Sequence, residues 1–412
     1  MTLRVCVVGG GGREHALADA FGRAGHAVVV TPGNPGIAGS VPTSAEEIDA
    51  DLYVIGPEAP LVDGLADRLR AAGRLTFGPG ADGAQLEGSK AWMKQVLVEA
   101  GVPTARHGVF SSAGLAADFL DELAPPFVVK TDGLAAGKGV LVTDSLAEAK
   151  ADVAAKLSGE AFGTAGLTVV VEEGLTGPEL SLLCVCDGKR AVPLAPAQDF
   201  KRLLDGDDGP NTGGMGAYSP VPLAGKDVVD EVMERAVDPT LARLRELGID
   251  YRGVLYCGLM LTTDGPKVLE YNVRFGDPEA QAVLPRYAGD LADLLAEAAA
   301  GRLRTEPEWH DRAAVTVVLA SEGYPVAPRV DDVIEGLDEA AAQPGVTVYS
   351  AGVGPGGVTA GGRVLDVTAL GDGLADARQR AYSAVDLISW PGMQYRRDIA
   401  HVAAGFDAEA GR

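Results

Sequence analysis

Residues 3–8 (LRVCVV) form an almost wholly apolar run that ends in four consecutive glycines, Gly9 to Gly12, and Arg13-Glu14-His15-Ala16-Leu17 then opens a helical pattern. An apolar run of that length reads as a strand buried on both faces, and such strands lie in parallel sheets covered by helices. Apolar runs return at 27–30 and 52–55 (LYVI). Strand, glycine turn, helix, strand predicts that the chain begins as an open parallel α/β layer. A nicotinamide-dependent oxidoreductase is the first reading this order invites, and the dinucleotide fingerprint argues against it. Counted from Gly9, G-x-G-x-x-G needs glycine where Glu14 stands; counted from Gly10, it needs glycine where His15 stands. The acidic residue expected after the second strand is replaced by Thr31-Pro32-Gly33-Asn34. The glycine turn still exposes N–H groups at a helix start, which suit a phosphate; a tight turn with no ligand is the other reading. Glu58 follows the LYVI strand at the end where open α/β sheets bind ligands. It can accept from sugar hydroxyls, or only charge the first turn of the next helix.

At 412 residues the chain has room for roughly two to four domains. The formal net charge of −23 argues against nucleic acid or an anionic membrane as partner, since both require a basic face. A phosphorylated small molecule needs only a local positive pocket. Cys6, Cys184, Cys186 and Cys257 show no zinc or C-x-x-C spacing, and the alternate pair in LLCVC reads as packed thiols. No signal peptide and no apolar run of about 18 residues is found, so a cytoplasmic setting is expected.

Further along, Leu75–Gly80 reads as another strand and turn, and Ser89-Lys90 caps and starts a helix that Gly101 ends. Pro126 to Val142 (PFVVKTDGLAAGKGVLV) holds short strands at 127–130 and 140–142 around a loop rich in Gly and Ala. It is not a Walker A loop: only three residues separate Gly133 from Gly137, and Lys138 precedes Gly139 rather than Ser or Thr. Its N–H groups can fold over phosphates, and Lys130 can reach one as a point charge; a glycine-rich hairpin with solvated lysines is the alternative. Residues 169–173 (VVVEE) form a strand that can present backbone groups to an adenine ring, with Glu179 on ribose hydroxyls; a strand ending in solvated charge is the plainer alternative. The stretch 197–220 reads as a long loop, and such loops in compact enzymes are usually functional. A helix is expected over roughly 227–247, and strand 254–261 forms a hairpin with the stretch Val268 to Glu279, VLEYNVRFGDPE. Side chains two apart on a strand share a face, so Glu270, Asn272 and Arg274 point one way and Leu269, Tyr271 and Val273 the other. A carboxylate beside an amide oxygen suits Mg²⁺ or Mn²⁺, and Arg274 offers a donor fork for a carboxylate or phosphate. An amphipathic edge strand with a solvated polar face is the alternative. From about 313 the chain reads as a small α+β cap.

GGGGREHA, PGNPG, GPEAPL, QLEGSKAW, VVKTDGLAAGKGV, QDFKR, NTGGMGAYSP, LEYNVRFGDPE and GGRVLDVTALG together resemble the glycinamide ribonucleotide synthetase family of the ATP-grasp superfamily, over nearly the whole chain. The resemblance implies a combined α/β and α+β ATP-grasp fold. Its expected parts are an N-terminal open parallel α/β domain (1–102), a grasp domain (103–312) with a mobile lid at about 110–185, and a C-terminal cap (313–412). It implies ATP-dependent ligation of glycine to 5-phosphoribosylamine in purine biosynthesis through glycyl phosphate, with ATP and Mg²⁺ or Mn²⁺, by a monomer. Phosphoryl transfer of this sort is mainly positioning and charge neutralisation, which agrees with the absence of a Ser/His or Cys/His constellation.

By motif position, Glu270 and Asn272 resemble the metal ligands. Lys90, Lys130, Gly137, Lys138 and Gly139 resemble the groups around the ATP phosphates. Glu172, Glu173 and Leu175 lie at the adenine hinge, and Glu179 at the ribose. Arg274, Lys138, Asp199 and Lys201 are the catalytic candidates. Asn211, Thr212, Gly213, Gly214, Met215 and Gly216, with Asp277, form the substrate loop region. Gly10, Gly11, Gly12, Asn34 and Glu58 would hold the phosphoribosylamine. Gly174 departs from the family by standing where an aromatic or apolar hinge residue is usual, Phe200 by replacing a frequent His, and Gly10 by replacing Asn or Ser. Another ATP-grasp carboxylate–amine ligase, or a nucleotide sensor without catalysis, are the rival functions.

Overall fold

A computed structural model describes residues 2–134, 139–159 and 167–410. The N-terminal sheet runs in the order Ala27–Pro32, Arg4–Gly9, Leu52–Ile55, Thr76–Phe77, all parallel. Val5, Cys6 and Val7 are fully buried, as a central strand covered on both faces requires. Helix Gly12–Arg23 packs its Ala16, Leu17 and Phe21 into that core.

The central sheet is antiparallel, in the order Ala191–Pro193, Glu179–Asp187, Arg252–Thr262, Gly265–Asn272. The expected hairpin is present, with one correction. Gly258 faces Glu270 while Leu259 faces Val268, so Leu269 is an extra residue in the Gly265–Asn272 strand. Such a bulge shifts the alternation by one position. Val268, Tyr271 and Val273 are therefore the buried set, and Leu269 turns to the cleft.

A second antiparallel sheet, in the order His107–Phe110, Val169–Glu173, Phe127–Thr131, Val140–Thr143, packs helices Ala113–Leu120 and Leu146–Leu157 over a small core of its own. The Glu179–Asp187 strand, which overlaps the end of the range expected for the lid, pairs in the central sheet. Its two cysteines, Cys184 and Cys186, are buried and unpaired.

The stretch read as a loop over 197–220 is largely structured. Arg202–Leu204 pairs with Asp208–Asn211, while Gln198–Asp199 and Gly216–Ser219 join Ala313–Ala320, Arg363–Gly371 and Val346–Ser350 in one five-stranded antiparallel sheet. The helix expected over 227–247 is interrupted by a π-helical turn, Met233–Val237. Among the described residues no helix is long and apolar enough to cross a membrane.

Candidate active site

A cleft of about 1490 Å³ opens where the sheets meet. Its floor starts at Lys90. The Ser89 hydroxyl caps the Lys90–Glu99 helix by accepting from Trp92 N at 3.1 Å. Asp132, from the turn after Phe127–Thr131, accepts from Ser89 Oγ and Ala91 N, both at 3.1 Å. The second sheet is thereby tied to the helix start, and Lys90 Nζ donates to Gly133 O at 2.9 Å.

Glu270 and Asn272 both line the cleft, as the two-residue spacing predicts. Burial would push the Glu270 carboxyl up, but the ammonium groups of Lys201, Lys130 and Lys90 and the Arg274 guanidinium outweigh it and hold the group below its usual range. Among the described residues no direct ion pair takes up this carboxylate. A half-buried ionised carboxylate with an amide oxygen beside it fits a hard divalent cation, which takes few protein oxygens and completes its shell with water and phosphate. No group of three or more His, Cys, Asp and Glu able to hold a metal occurs among the described residues.

Lys130 Nζ pairs with Glu172 Oε1 at 2.8 Å and donates to Leu269 O at 3.1 Å. The Glu172 side chain thus turns inward, and at this hinge position only its backbone is left to meet a base. Glu173 also faces the cleft wall, with its Oε1 accepting from Arg106 N at 2.9 Å. Gly174 is needed here for space: its N–H donates to Pro126 O at 2.7 Å, and a Cβ would lie 2.3 Å from Pro126 Cγ. Pro126 thus occupies the room that a hinge side chain would take. Leu175, Val128 and Met260 supply apolar wall nearby. Gly139 lines the cleft too, while Gly137 and Lys138 lie outside the described residues.

Lys201 Nζ bridges Glu179 Oε2 at 2.7 Å and Asp199 Oδ1 at 2.8 Å. Burial pushes the Asp199 carboxyl up to about 7, with Lys201 opposing and Glu279 and Glu179 adding to the rise. Arg274 does not pair with Glu270. It pairs with Glu87 at 2.9 Å and Glu58 at 3.3 Å and donates to Asn272 Oδ1 at 3.4 Å. Asp277 pairs with Arg363 at 2.9 Å.

Other expected residues do not reach the cleft. Asn211, Thr212 and Gly213 line it, whereas Gly214 to Gly216 turn into packing. Gly214 has φ +113° against the Pro278 ring, Met215 is fully buried, and Gly216 lies against the Thr316 carbonyl. Gly10, Gly11, Gly12 and Asn34 do not line this cleft either; Gly12 is buried and the other three are half-buried. The Asn34 amide donates to Gly10 O at 2.8 Å and Ser350 O at 3.1 Å, so it ties the glycine turn to the C-terminal sheet. A Cβ on Gly12 would fall 1.7 Å from Asp366 Oδ2. The sequence reading missed Glu87, Arg13, Glu279 and Arg363, all of which line the cleft. All four stand in the motifs that carry the resemblance: Arg13 in GGGGREHA, Glu87 in QLEGSKAW, Glu279 in LEYNVRFGDPE and Arg363 in GGRVLDVTALG.

A lysine-lined cleft between two antiparallel sheets, with a carboxylate–amide pair on the edge strand of the central sheet, defines an ATP-grasp enzyme. The sequence matches phosphoribosylglycinamide synthetase along its N domain (residues 3–87), its ATP-grasp (A) domain (88–280) and its C domain (314–402). The chain belongs to this family, and it is an ATP-dependent ligase. It is 49% identical to phosphoribosylamine–glycine ligase of Streptomyces coelicolor, covering 98% of this chain and 100% of that one. It is 45% identical to the Mesorhizobium japonicum enzyme of the same name, over 96% and 97%. The crystal structure of phosphoribosylamine–glycine ligase from Thermotoga maritima superposes with a TM-score of 0.86 at 37% identity, over 96% of this chain and 100% of that one. The biotin carboxylase domain of Hydrogenobacter thermophilus 2-oxoglutarate carboxylase, at 17% identity and a TM-score of 0.71 over 96% and 92%, shares the fold.

Proposed function

We infer that this cleft ligates glycine to 5-phosphoribosylamine, with ATP converted to ADP and phosphate by way of glycyl phosphate. The ligase function in purine biosynthesis follows from family membership across the whole chain. The observation that carries the site assignment is Glu270, an ionised half-buried carboxylate in the cleft, facing three lysines and an arginine without a direct partner among the described residues.

Glu270 and Asn272 would hold Mg²⁺ or Mn²⁺, which neutralises phosphate charge when bound. Lys90 and Lys130 place ammonium groups on the same side, where the triphosphate tail must lie to reach that cation. The apolar wall at Leu175, Val128 and Met260 suits an adenine ring, and Glu179 suits ribose hydroxyls. Arg274 is held rigid by Glu87, Glu58, Asn272 Oδ1 and Phe275 O, so the one N–H left, on Nη1, and the fixed positive charge can orient the glycine carboxylate or the transferring phosphoryl group. Arg13 and Arg363 add positive charge at the end beside Asp277, a suitable place for the phosphate of the ribosylamine. Asp199 and Lys201 extend the same wall. No side-chain nucleophile is required, because phosphorylation of the glycine carboxylate supplies the leaving group that the incoming amine displaces.

Glycine-dependent release of phosphate with freshly made phosphoribosylamine tests the reaction. Replacing glycine with other small amino acids in that assay separates this ligase from its relatives; equal turnover on several of them would overturn the assignment of glycine.

A further inference from the structure

A second lysine is sealed into the same wall, one helical turn after Lys90. The Lys94 side chain is wholly enclosed, and its ammonium contacts Glu172 Oε2 at 2.8 Å and Thr104 Oγ1 at 2.7 Å. A buried ammonium is tolerated only when it is paired and hydrogen-bonded. The other oxygen of Glu172 forms an ion pair with Lys130 at 2.8 Å, and Lys130 donates to Leu269 O at 3.1 Å. Thr104 in turn donates to Val268 O at 2.6 Å. The row Thr104, Lys94, Glu172, Lys130 therefore links the Lys90–Glu99 helix to the second sheet. Both of its ends are fixed on successive carbonyls of the strand that carries Glu270.

The division of one carboxylate between two ammonium groups has a consequence at Lys130. An ammonium has three N–H donors. Leu269 O accepts one, the 2.8 Å contact with Glu172 Oε1 is an ion pair without hydrogen-bond geometry, and donors remain for the cleft that Lys130 lines. Without Lys94, the inner oxygen of Glu172 would be buried and unpaired. The carboxylate would then turn both oxygens toward Lys130 and draw it inward, since leaving a buried charge unpaired is strongly unfavourable.

We propose that Lys94 is a positioning residue for nucleotide binding: by occupying one oxygen of Glu172 it holds Lys130 with a donor free for the phosphates. The proposal rests on the reading of Lys130 as a phosphate-binding group. Steady-state kinetics of Lys94→Met, Lys94→Gln and Lys130→Met, with KM for ATP and for glycine and Tm measured on each, separates the two ideas. Lys130→Met should raise KM for ATP; if it does not, the reading of Lys130 fails and the proposal fails with it. Given that rise, Lys94→Met should raise KM for ATP by roughly tenfold while KM for glycine stays within about twofold of the parent. A folded Lys94→Met enzyme with unchanged KM for ATP overturns the positioning role alone. A parallel rise in both KM values with a lowered Tm marks Lys94 as merely structural and overturns it too. Lys94→Gln, which retains a donor, is read the same way where Lys94→Met does not fold; failure of both to fold equally assigns Lys94 to stability and overturns the proposal.

Discussion

At Glu270 the decisive property is charge without a local partner. Glu270→Gln keeps the shape and removes the charge, so glycine-dependent ADP formation should fall to background with Tm near that of the parent; a coupled ADP assay giving near-normal rates would refute the metal assignment. Asp366 presents the opposite case. Burial and the neighbouring Asp277 carboxylate push its carboxyl up to about 7, with Arg363 and Gln281 opposing. Gln281 Nε2 donates to Asp366 Oδ2 at 2.9 Å, while Oδ1 has no partner. The folded state therefore holds a proton that the unfolded chain releases above its ordinary range near 3.8. Stability from this group is present at low pH and is lost as pH rises through about 7. Asp366→Asn should remove that dependence, so its Tm relative to the parent should climb by a few degrees between about pH 5 and about pH 8. A Tm difference that stays flat over that range would show Asp366 to be ionised in the fold.

Among the elements, the join between the second and central sheets decides how a nucleotide is gripped. Gly174 permits the strand ending at Glu173 to pass against Pro126. A methyl there must displace the Pro126 backbone or ring, and overpacking of that kind costs about 1–3 kcal/mol. Gly174→Ala should lower Tm and raise KM for ATP several-fold with KM for glycine little changed. Calorimetry showing parental stability would mean that Pro126 yields freely. The departure at position 174 is thus matched by Pro126, a compensation that adjacent residues in the sequence do not reveal. The bulge at Leu269 is a second element-scale device: it lets Leu269 and Glu270 both face the cleft while Val268 and Tyr271 stay in the core.

Across the whole molecule, the C-terminal residues complete a sheet begun within the grasp domain. Gly216–Ser219 pairs with Ala313–Ala320 over its full length, so a chain ended at Asp311 would leave Gly216–Ser219 as an unpaired edge and uncover the core residues that Val315 and Val317 pack against. Such a truncation should be insoluble or unfold without a cooperative transition; a soluble fragment with a sharp thermal transition would show that the sheet tolerates the loss. Local patterning carried much of the rest. The parallel N-terminal layer, the hairpin bearing Glu270 and Asn272, and the Ser89 cap were legible because periodicity and capping act over a few residues. The packing of Gly12 and Asn34 was not, because the groups they meet, Asp366 and Ser350, lie more than three hundred residues away. Glu87, Arg13 and Arg363 escaped notice for the same reason: a charged residue reads as solvated until a distant partner faces it. The order of residues alone determined the chemistry on offer, since hard-oxygen ligands, lysines and flexible glycine turns are properties of types and spacings. Only the folded arrangement decided which of those groups share one cleft, because burial and ion pairing depend on what the rest of the chain brings alongside.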